Sequence, residues 1–436
     1  MSFVRAHTFH IVRAKTLAII APMISIHALK IAAFVLAGSL PGTPAAPPAA
    51  PGASPASVPQ GAAAAPGAAE TTAVLSIAVT NPLVSARARE TVAISLAEVL
   101  KTVPGFEVKK SIVLDAAGKE LLSQLVDMDG DETPDEIVFQ TDLGGKETKT
   151  FKLKIGQRHS PARDEYKVYG RFVRERHDDF AWENDLVAHR VYGPDLETYA
   201  KEPLTSSGVD TWVKRVSKLV VNDWYMTDNY HHDAGEGADF YAVGKSRGCG
   251  GVGIWAGGKL HVSKNFTTSR VLANGPIRLV FELTYAPWEA GSAHVGESKR
   301  VILDAGTQFN RIESTFTGQK GALAVGLGIA KHPGSTVKVD ARSGSMRVWE
   351  PLEGGKSGNL GTAVVTPAGS KLAEHHSDLD YLVVTGAPAS GRLVYYAGSA
   401  WDRAGRILDA ASWAAEVQGL AGRLATPVKI SLARDK

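Results

Sequence analysis

From Val74 to its C-terminus the chain is a succession of short segments in which apolar residues either run together or alternate with polar ones. VLSIAVT, TVAISL, DEIVFQT, TFKLKI, YKVYGRFV and LVAHRVYG come first, and IRLVFELTY, KRVILD, FNRIESTFT, YLVVTG and GRLVYYAG follow. Each is rich in Val, Ile, Tyr or Phe and is bounded by turn residues, which is the signature of strands. A helical period of 3.6 is visible over residues 95–101 and 409–420, and elsewhere it is scarce. The pattern predicts an all-β chain of mainly antiparallel sheets, a sandwich or barrel. No repeat of fixed period is visible, which argues against a propeller or solenoid. The polar, turn-rich stretch IGQRHSPARDE divides residues 71–158, a small β domain, from residues 159–436, expected to form a large two-sheet assembly.

The first seventy residues follow another pattern. Arg5, Arg13 and Lys15 precede an apolar run at 17–26, and Lys30 precedes a second at 31–40. Each run is near ten residues, which is too short for a bilayer span of roughly 20 and suits a signal-peptide core of roughly 7 to 15. Residues 1–40 therefore read as a secretory signal, with Met23 a candidate true start; an amphipathic or anchored helix is the alternative. Residues 41–70 are almost wholly Ala, Pro, Gly and Ser, the composition of a flexible linker. Export to the periplasm or medium is expected, with no stable membrane insertion after cleavage.

Composition narrows the function classes. The 436 residues carry 48 basic against 45 acidic side chains, so no strong positive excess points to a nucleic-acid partner. The single cysteine, Cys249, excludes an intrachain disulfide and a multi-cysteine zinc site.

Two kinds of candidate chemistry stand out. In VDMDGDETPDE, Asp127, Asp129, Asp131 and Asp135 are spaced as hard oxygen ligands around a bend at Gly130, a candidate structural calcium loop. The helix-loop-helix form is not met, because Glu132 and Val138 stand where its glycine and bidentate glutamate belong. An ordinary acidic hairpin turn is the alternative. The second kind lies in NDWYMTDNYHHDAGEGADFYAVG, where Tyr230, His231, His232, Asp233, Glu236 and Asp239 fall within ten positions. Gly235 and Gly237 break any helix there, and the interleaved Trp224, Tyr225, Phe240 and Tyr241 argue against full exposure. Imidazole beside carboxylate tunes a proton donor or acceptor near neutral pH, and equally serves a divalent metal.

Upstream, DDFAWENDLVAHRVYGP read as one strand sends Asp185, Val187 and His189 to one face and Asn184, Ala188 and Arg190 to the other. Arg190 is a candidate carboxylate clamp, with an internal ion pair to Glu183 or Asp185 as the alternative. Downstream, Arg278 and Glu282 share a strand face, His332 follows an apolar strand, and Tyr396 and Trp401 end another.

The segments WENDLVAHRVYGP, VDTWVKR, WYMTDNYHHDAGEGADFYAVG, ANGPIR with FELTY, GLGIAKH and YYAGSAW resemble DUF4861, a family of exported bacterial and fungal proteins without an assigned activity. The resemblance implies a two-sheet supersandwich of the galactose-mutarotase type and an association with polysaccharide degradation. Against the family pattern, SRGCGG at 246–251 carries an unusual Arg247 and Cys249, and the thiol reads as structural.

The leading expectation is a lyase or dehydratase acting on uronic-acid-containing oligosaccharides by β-elimination. His231 or His232 would be the base, Arg190 or Arg278 the clamp, and Tyr230 or His332 the acid, with Glu236 in the same catalytic group. Glu183, Asn184, His189, Arg190, Trp224, Asp239, Arg278, Tyr396 and Trp401 are the expected substrate contacts. A glycoside hydrolase using Glu183 and Glu236 is the runner-up. A non-catalytic module stacking sugars on Trp224, Tyr230 and Trp255 is the third reading.

Overall fold

A computed structural model describes residues 73–201, 203–227 and 229–435; the expected signal and linker lie outside them. Within that range the chain is mainly antiparallel β, as its alternation predicts.

Two small sheets come first. Ala73–Thr80 pairs with Thr148–Ile155 on one side and, across the length of the chain, with the final strand Lys429–Arg434 on the other. The second small sheet joins Arg87–Ser95, Glu136–Leu143 and Ser123–Val126. Their inward residues, among them Ile77, Val92, Phe139 and Leu153, form one core with Val99 of helix α1 (Leu96–Thr102).

The bulk of the chain is two further sheets. An eight-stranded sheet runs from Phe266–Asn274 to Thr336–Asp340, and a five-stranded sheet is built around Cys249–Ala256, Leu323–Ala330 and Asp380–Ala387. Phe281, Leu283, Val301 and Tyr395 of the first meet Ile254, Leu327 and Val383 of the second in a single cluster. Each such strand buries its inward residues at a period of two, and removing that apolar area from water stabilises the sandwich.

Among the described residues no helix is long and apolar enough to cross a membrane. Helix α3 (Ala410–Ala425) begins at Asp409, whose carboxylate accepts from Ser412 N at 2.7 Å. It runs a turn beyond its sequence expectation because Ala421, Arg423 and Leu424 continue the helix-forming pattern until Thr426 and Pro427 stop it. Trp413, Val417 and Leu420 form its buried face. Trp413 stacks on Phe309 at 5.4 Å and covers Gly361, where a Cβ would come within 2.7 Å of the indole. Truncation of that ring leaves a cavity the rigid sheet cannot fill, so Trp413→Ala should cost about 3–5 kcal/mol in urea unfolding. A loss below about 1 kcal/mol would show that the helix is not anchored there.

Candidate functional site

A third arrangement, a five-stranded meander, builds the polar centre. Its strands are Val168–Val173, Asp179–Asn184, Ala188–Val191, Val209–Lys214 and the short Gly237–Ala238. The block expected to be one strand is a hairpin instead. Asn184 turns the chain, its side-chain oxygen accepting from Leu186 N and Val187 N at 2.8 and 2.9 Å while its amide donates to Asp304 and Thr307 carbonyls. Asx turns of this kind bend the chain where alternation alone reads straight through.

The hairpin sets Arg190 directly opposite Asp210 on the neighbouring strand. The buried guanidinium donates from Nε to Asp210 at 2.8 Å and from a terminal nitrogen to Asp239 at 3.0 Å, and Asp179 lies 3.8 Å away. Its remaining arm donates to the Tyr230 hydroxyl at 2.8 Å, and Arg176 Nε donates to the same oxygen at 2.8 Å. Tyr192, Trp212 and Tyr230 surround the cation with their rings 5.4–5.9 Å from its central carbon.

The loop carrying Tyr230 is folded by its own polar residues. Asp233 accepts from Gly235 N and Gly237 N, Asn229 accepts from His231 N, and Asp239 N donates to the Tyr230 carbonyl at 2.9 Å. Gly237 has φ +119° and approaches Val213 O so closely that a Cβ would lie 2.0 Å from it, so no other residue closes this loop onto the sheet. His231 Nδ1 faces the Asp239 carbonyl at 2.9 Å and the Asp239 carboxylate at 3.5 Å. Both groups only accept, so that nitrogen carries a proton.

Arg176, Arg190, His231 and Asp239 line a cleft of about 320 Å³ with Tyr192, Leu196, Phe240 and Tyr241. Burial pushes Asp179 up to about 6, against the pull of Arg190. Asp210 and Asp239 are buried together and titrate as a pair. Burial first and then Asp239's charge push Asp210 up to about 8, and burial pushes Asp239 up to about 6.

The other expected residues lie elsewhere. His232 is exposed, and neither it nor Tyr230 lines the cleft, to which Tyr230 is tied through its hydroxyl on Arg176 and Arg190. Glu236 pairs with Lys218 at 2.7 Å and accepts from Trp224 Nε1. Glu183 is buried, held by Lys214 at 2.7 Å and by the Val220 and Val221 amides that start helix α2 (Val221–Tyr225). His189 is buried between the Asp210 carbonyl and Asn310, and burial pushes it down to about 4, so it is neutral. His332 has Glu350 at 2.5 Å on one nitrogen and the Ala242 carbonyl at 2.7 Å on the other. Burial opposes its charge, yet Glu350 raises its pKa, and the imidazolium pins the loop behind the cleft. Trp224 and Trp401 are buried, one stacked on Trp212 and the other donating to Ser357 O, so neither offers a face to a sugar. Cys249 is buried and burial pushes its thiol up.

Arg278 and Tyr396 share a different cleft, where Arg278 is clamped by Asp304 and Glu136. Sequence reasoning missed Arg176, Asp179 and Asp210. Their only signal was a charge inside or beside an otherwise apolar strand.

The acidic motif is the hairpin turn between Ser123–Val126 and Glu136–Leu143. Asp127, Asp129 and Asp135 bring ligand oxygens within 4.8 Å of one another, the one such grouping among the described residues. Asp131 stands outside it, accepting from Thr133 N, and His231, His232 and Glu236 do not converge as metal ligands. Slight burial acts to raise the Asp127 pKa, but backbone N–H groups, Gly130 and Glu132 foremost, lower it.

Residues 79–430 match the family described as "Domain of unknown function (DUF4861)". "Uncharacterized protein P7" of Formosa agariphila is 36% identical over 373 residues, 82% of this chain and 93% of that protein. Among solved structures, a protein in the glycosyl hydrolase family 38 and an alpha-mannosidase, both from Enterococcus faecalis, are similar at TM-scores of 0.44 and 0.41, with 10% and 9% identity. Each match covers 83% of this chain, which spans under half of those chains, 47% and 46%.

Each raised aspartate keeps a proton in the folded protein that the unfolded chain releases above about pH 4. Their contribution to stability is full below that pH and is lost as the pH rises through about 6 and then about 8. The urea midpoint of the wild type relative to Asp210→Asn should therefore fall as pH rises from 6 to 9. A constant difference would mean that Asp210 is ionised throughout.

Proposed function

The chain belongs to the DUF4861 family, and from the geometry of its arginine centre we propose that it is an exported carbohydrate-active enzyme that cleaves uronic-acid-containing oligosaccharides by β-elimination. The observation carrying this reading is one phenolic oxygen, Tyr230, receiving two guanidinium hydrogen bonds beside His231, whose Nδ1 is anchored on the Asp239 carbonyl; in the neutral ring Nε2 is then the proton acceptor.

His231 Nε2 takes the proton from the carbon adjacent to the substrate carboxyl group. The C–H electrons form the new double bond and the glycosidic C–O bond breaks. Tyr230 gives its proton to the departing oxygen, and its phenolate is held by Arg176 and Arg190. An unsaturated uronate and a free hydroxyl result, no water is consumed, and proton return from His231 to Tyr230 restores the site. Arg190 serves Tyr230 and is saturated by its aspartates, so it is a positioning residue and not the carboxylate clamp. Hydrolysis by a carboxylate pair has less support, because Glu183 and Glu236 are each held by a lysine.

A panel of uronate and neutral oligosaccharides followed by mass and ultraviolet absorbance tests the reading. Unsaturated uronate ends without added water are expected, with Tyr230→Phe and His231→Ala each lowering kcat by about 10²–10⁴ and His232→Ala leaving it unchanged. Cleavage with gain of water, or full turnover in both of the first two variants, would sink it.

We further infer that the hairpin oxygens of Asp127, Asp129 and Asp135 hold a structural calcium ion. Calcium at about a hundred times its Kd should then raise stability by about 2.7 kcal/mol. Asp129→Ala with Asp135→Ala should abolish that rise, and a wild-type melting curve indifferent to calcium contradicts the assignment.

A further inference from the structure

A separate cleft of about 610 Å³ opens where α3 and residues 427–428 approach the strand Arg87–Ser95 and the eight-stranded sheet. It shares no lining residue with the arginine centre. Six arginines line it, at positions 87, 89, 278, 311, 406 and 423, against the carboxylates of Glu90, Asp304 and Glu416. Number alone decides little, since most of these cations are paired. Arg87 and Arg278 belong to the floor, the first nearly fully buried on Asn81 and Glu90, the second gripped by Asp304 and Glu136.

What decides is which member of each remaining pair faces water. In Arg89–Asp185 the side chains are 41% and 8% exposed, in Arg311–Glu313 39% and 7%, and in Arg423–Glu416 31% and 19%. Each time the guanidinium protrudes and its carboxylate recedes. Arg406 is exposed, with no carboxylate partner among the described residues. A ligand entering on the side of Arg89, Arg311, Arg406 and Arg423 meets forked N–H donors first, with Asp185, Glu313 and Glu416 behind them; on the floor the order reverses, Glu90 and Asp304 being 19% and 20% exposed against 1% and 11% for Arg87 and Arg278. Such forks bind carboxylate and sulfate groups in two-point fashion. Half-buried Tyr396 adds an aromatic wall of the kind that packs against sugar rings.

We propose that this cleft binds a run of oxyanion-bearing sugars, an anionic polysaccharide held apart from the catalytic site. The inference stands on charge placement and not on the elimination chemistry, so either can fail alone. The test is native electrophoresis of the full chain through gels containing polygalacturonate, dextran sulfate, neutral dextran or single-stranded DNA. At least one anionic glycan should retard the protein and neutral dextran should not. Polygalacturonate alone would identify the group as carboxylate, and dextran sulfate alone as sulfate. Arg311→Ser, Arg406→Ser and Arg423→Ser combined should weaken retardation at least about tenfold, while turnover of any short oligosaccharide that the wild type cleaves is unchanged. Arg406→Ser alone, which strands no carboxylate, should weaken it in the same direction if the combined variant fails to fold. Unretarded wild type, retardation indifferent to these substitutions, or equal retardation by DNA overturns the proposal.

Discussion

A guanidinium removed from water must be met by acceptors, and three carboxylates removed from water must be met by donors or keep their protons. Arg190 and its three aspartates satisfy that requirement only together, and they come from separate segments. Asp179 lies on one strand, Asp210 on another, and Asp239 on a loop that returns after helix α2. Bringing them to one point obliges the chain to turn at Asn184, to align Arg190 with Asp210 across the ladder, and to fold the 229–239 loop back on the sheet. The loop's glycines and its aromatic residues are consequences of that closure. Burial is what raises all three aspartates, with Asp239's charge adding to it at Asp210, while Arg190 pulls the other way and gives its remaining donor to Tyr230.

A second set of ties holds the ends of the chain. The strand Lys429–Arg434 completes the sheet begun at Ala73, and Arg278 bridges Glu136 of the early sheets to Asp304 of the large one. Arg87 donates to the Thr426 carbonyl just beyond α3. These contacts fix the early sheets against the sandwich and leave the arginine-lined cleft between them. Phe309 and Leu420, which line the cleft, belong to the core cluster around Trp413, while residues 305–307, Arg406 and residues 427–428 bring loop segments to its walls.

The strands and both longer helical segments were legible because half-buried sheets impose a period of two and α3 imposes 3.6 on the residues that face inward. The hairpin at Asn184 was not. All six residues of Asp179–Asn184 and all four of Ala188–Val191 are buried, so polar residues alternate there for reasons of internal pairing, and the turn has no solvent-facing signature. The same cause hid Asp179 and Asp210, since a single charge in an apolar strand reads as a solvent face until its partner is known. Tyr230, His231 and Asp239 were legible as a cluster because chemistry and loop closure draw on one short segment, whereas Arg190 stood out only by itself in a separate block upstream. Aromatic content misled in the opposite direction: Trp224 and Trp401 close the core, where their indole N–H groups find Glu236 and Ser357.

Net charge conceals both arginine populations. A chain of formal charge +3 can bury one guanidinium among three carboxylates and still present exposed guanidiniums on another face, because the balance is kept by where each partner sits and not by the total. Around Arg190 the carboxylates enclose the cation and its donors are spent on fixed oxygens, which makes it a device for placing Tyr230. At Arg89, Arg311 and Arg423 of the second cleft the carboxylates stand behind their cations, and the donors are left pointing outward. The first arrangement polarises a bond at one point, while the second makes an extended surface for anions. Both follow from the fork geometry of arginine, which a lysine at the same positions would not reproduce.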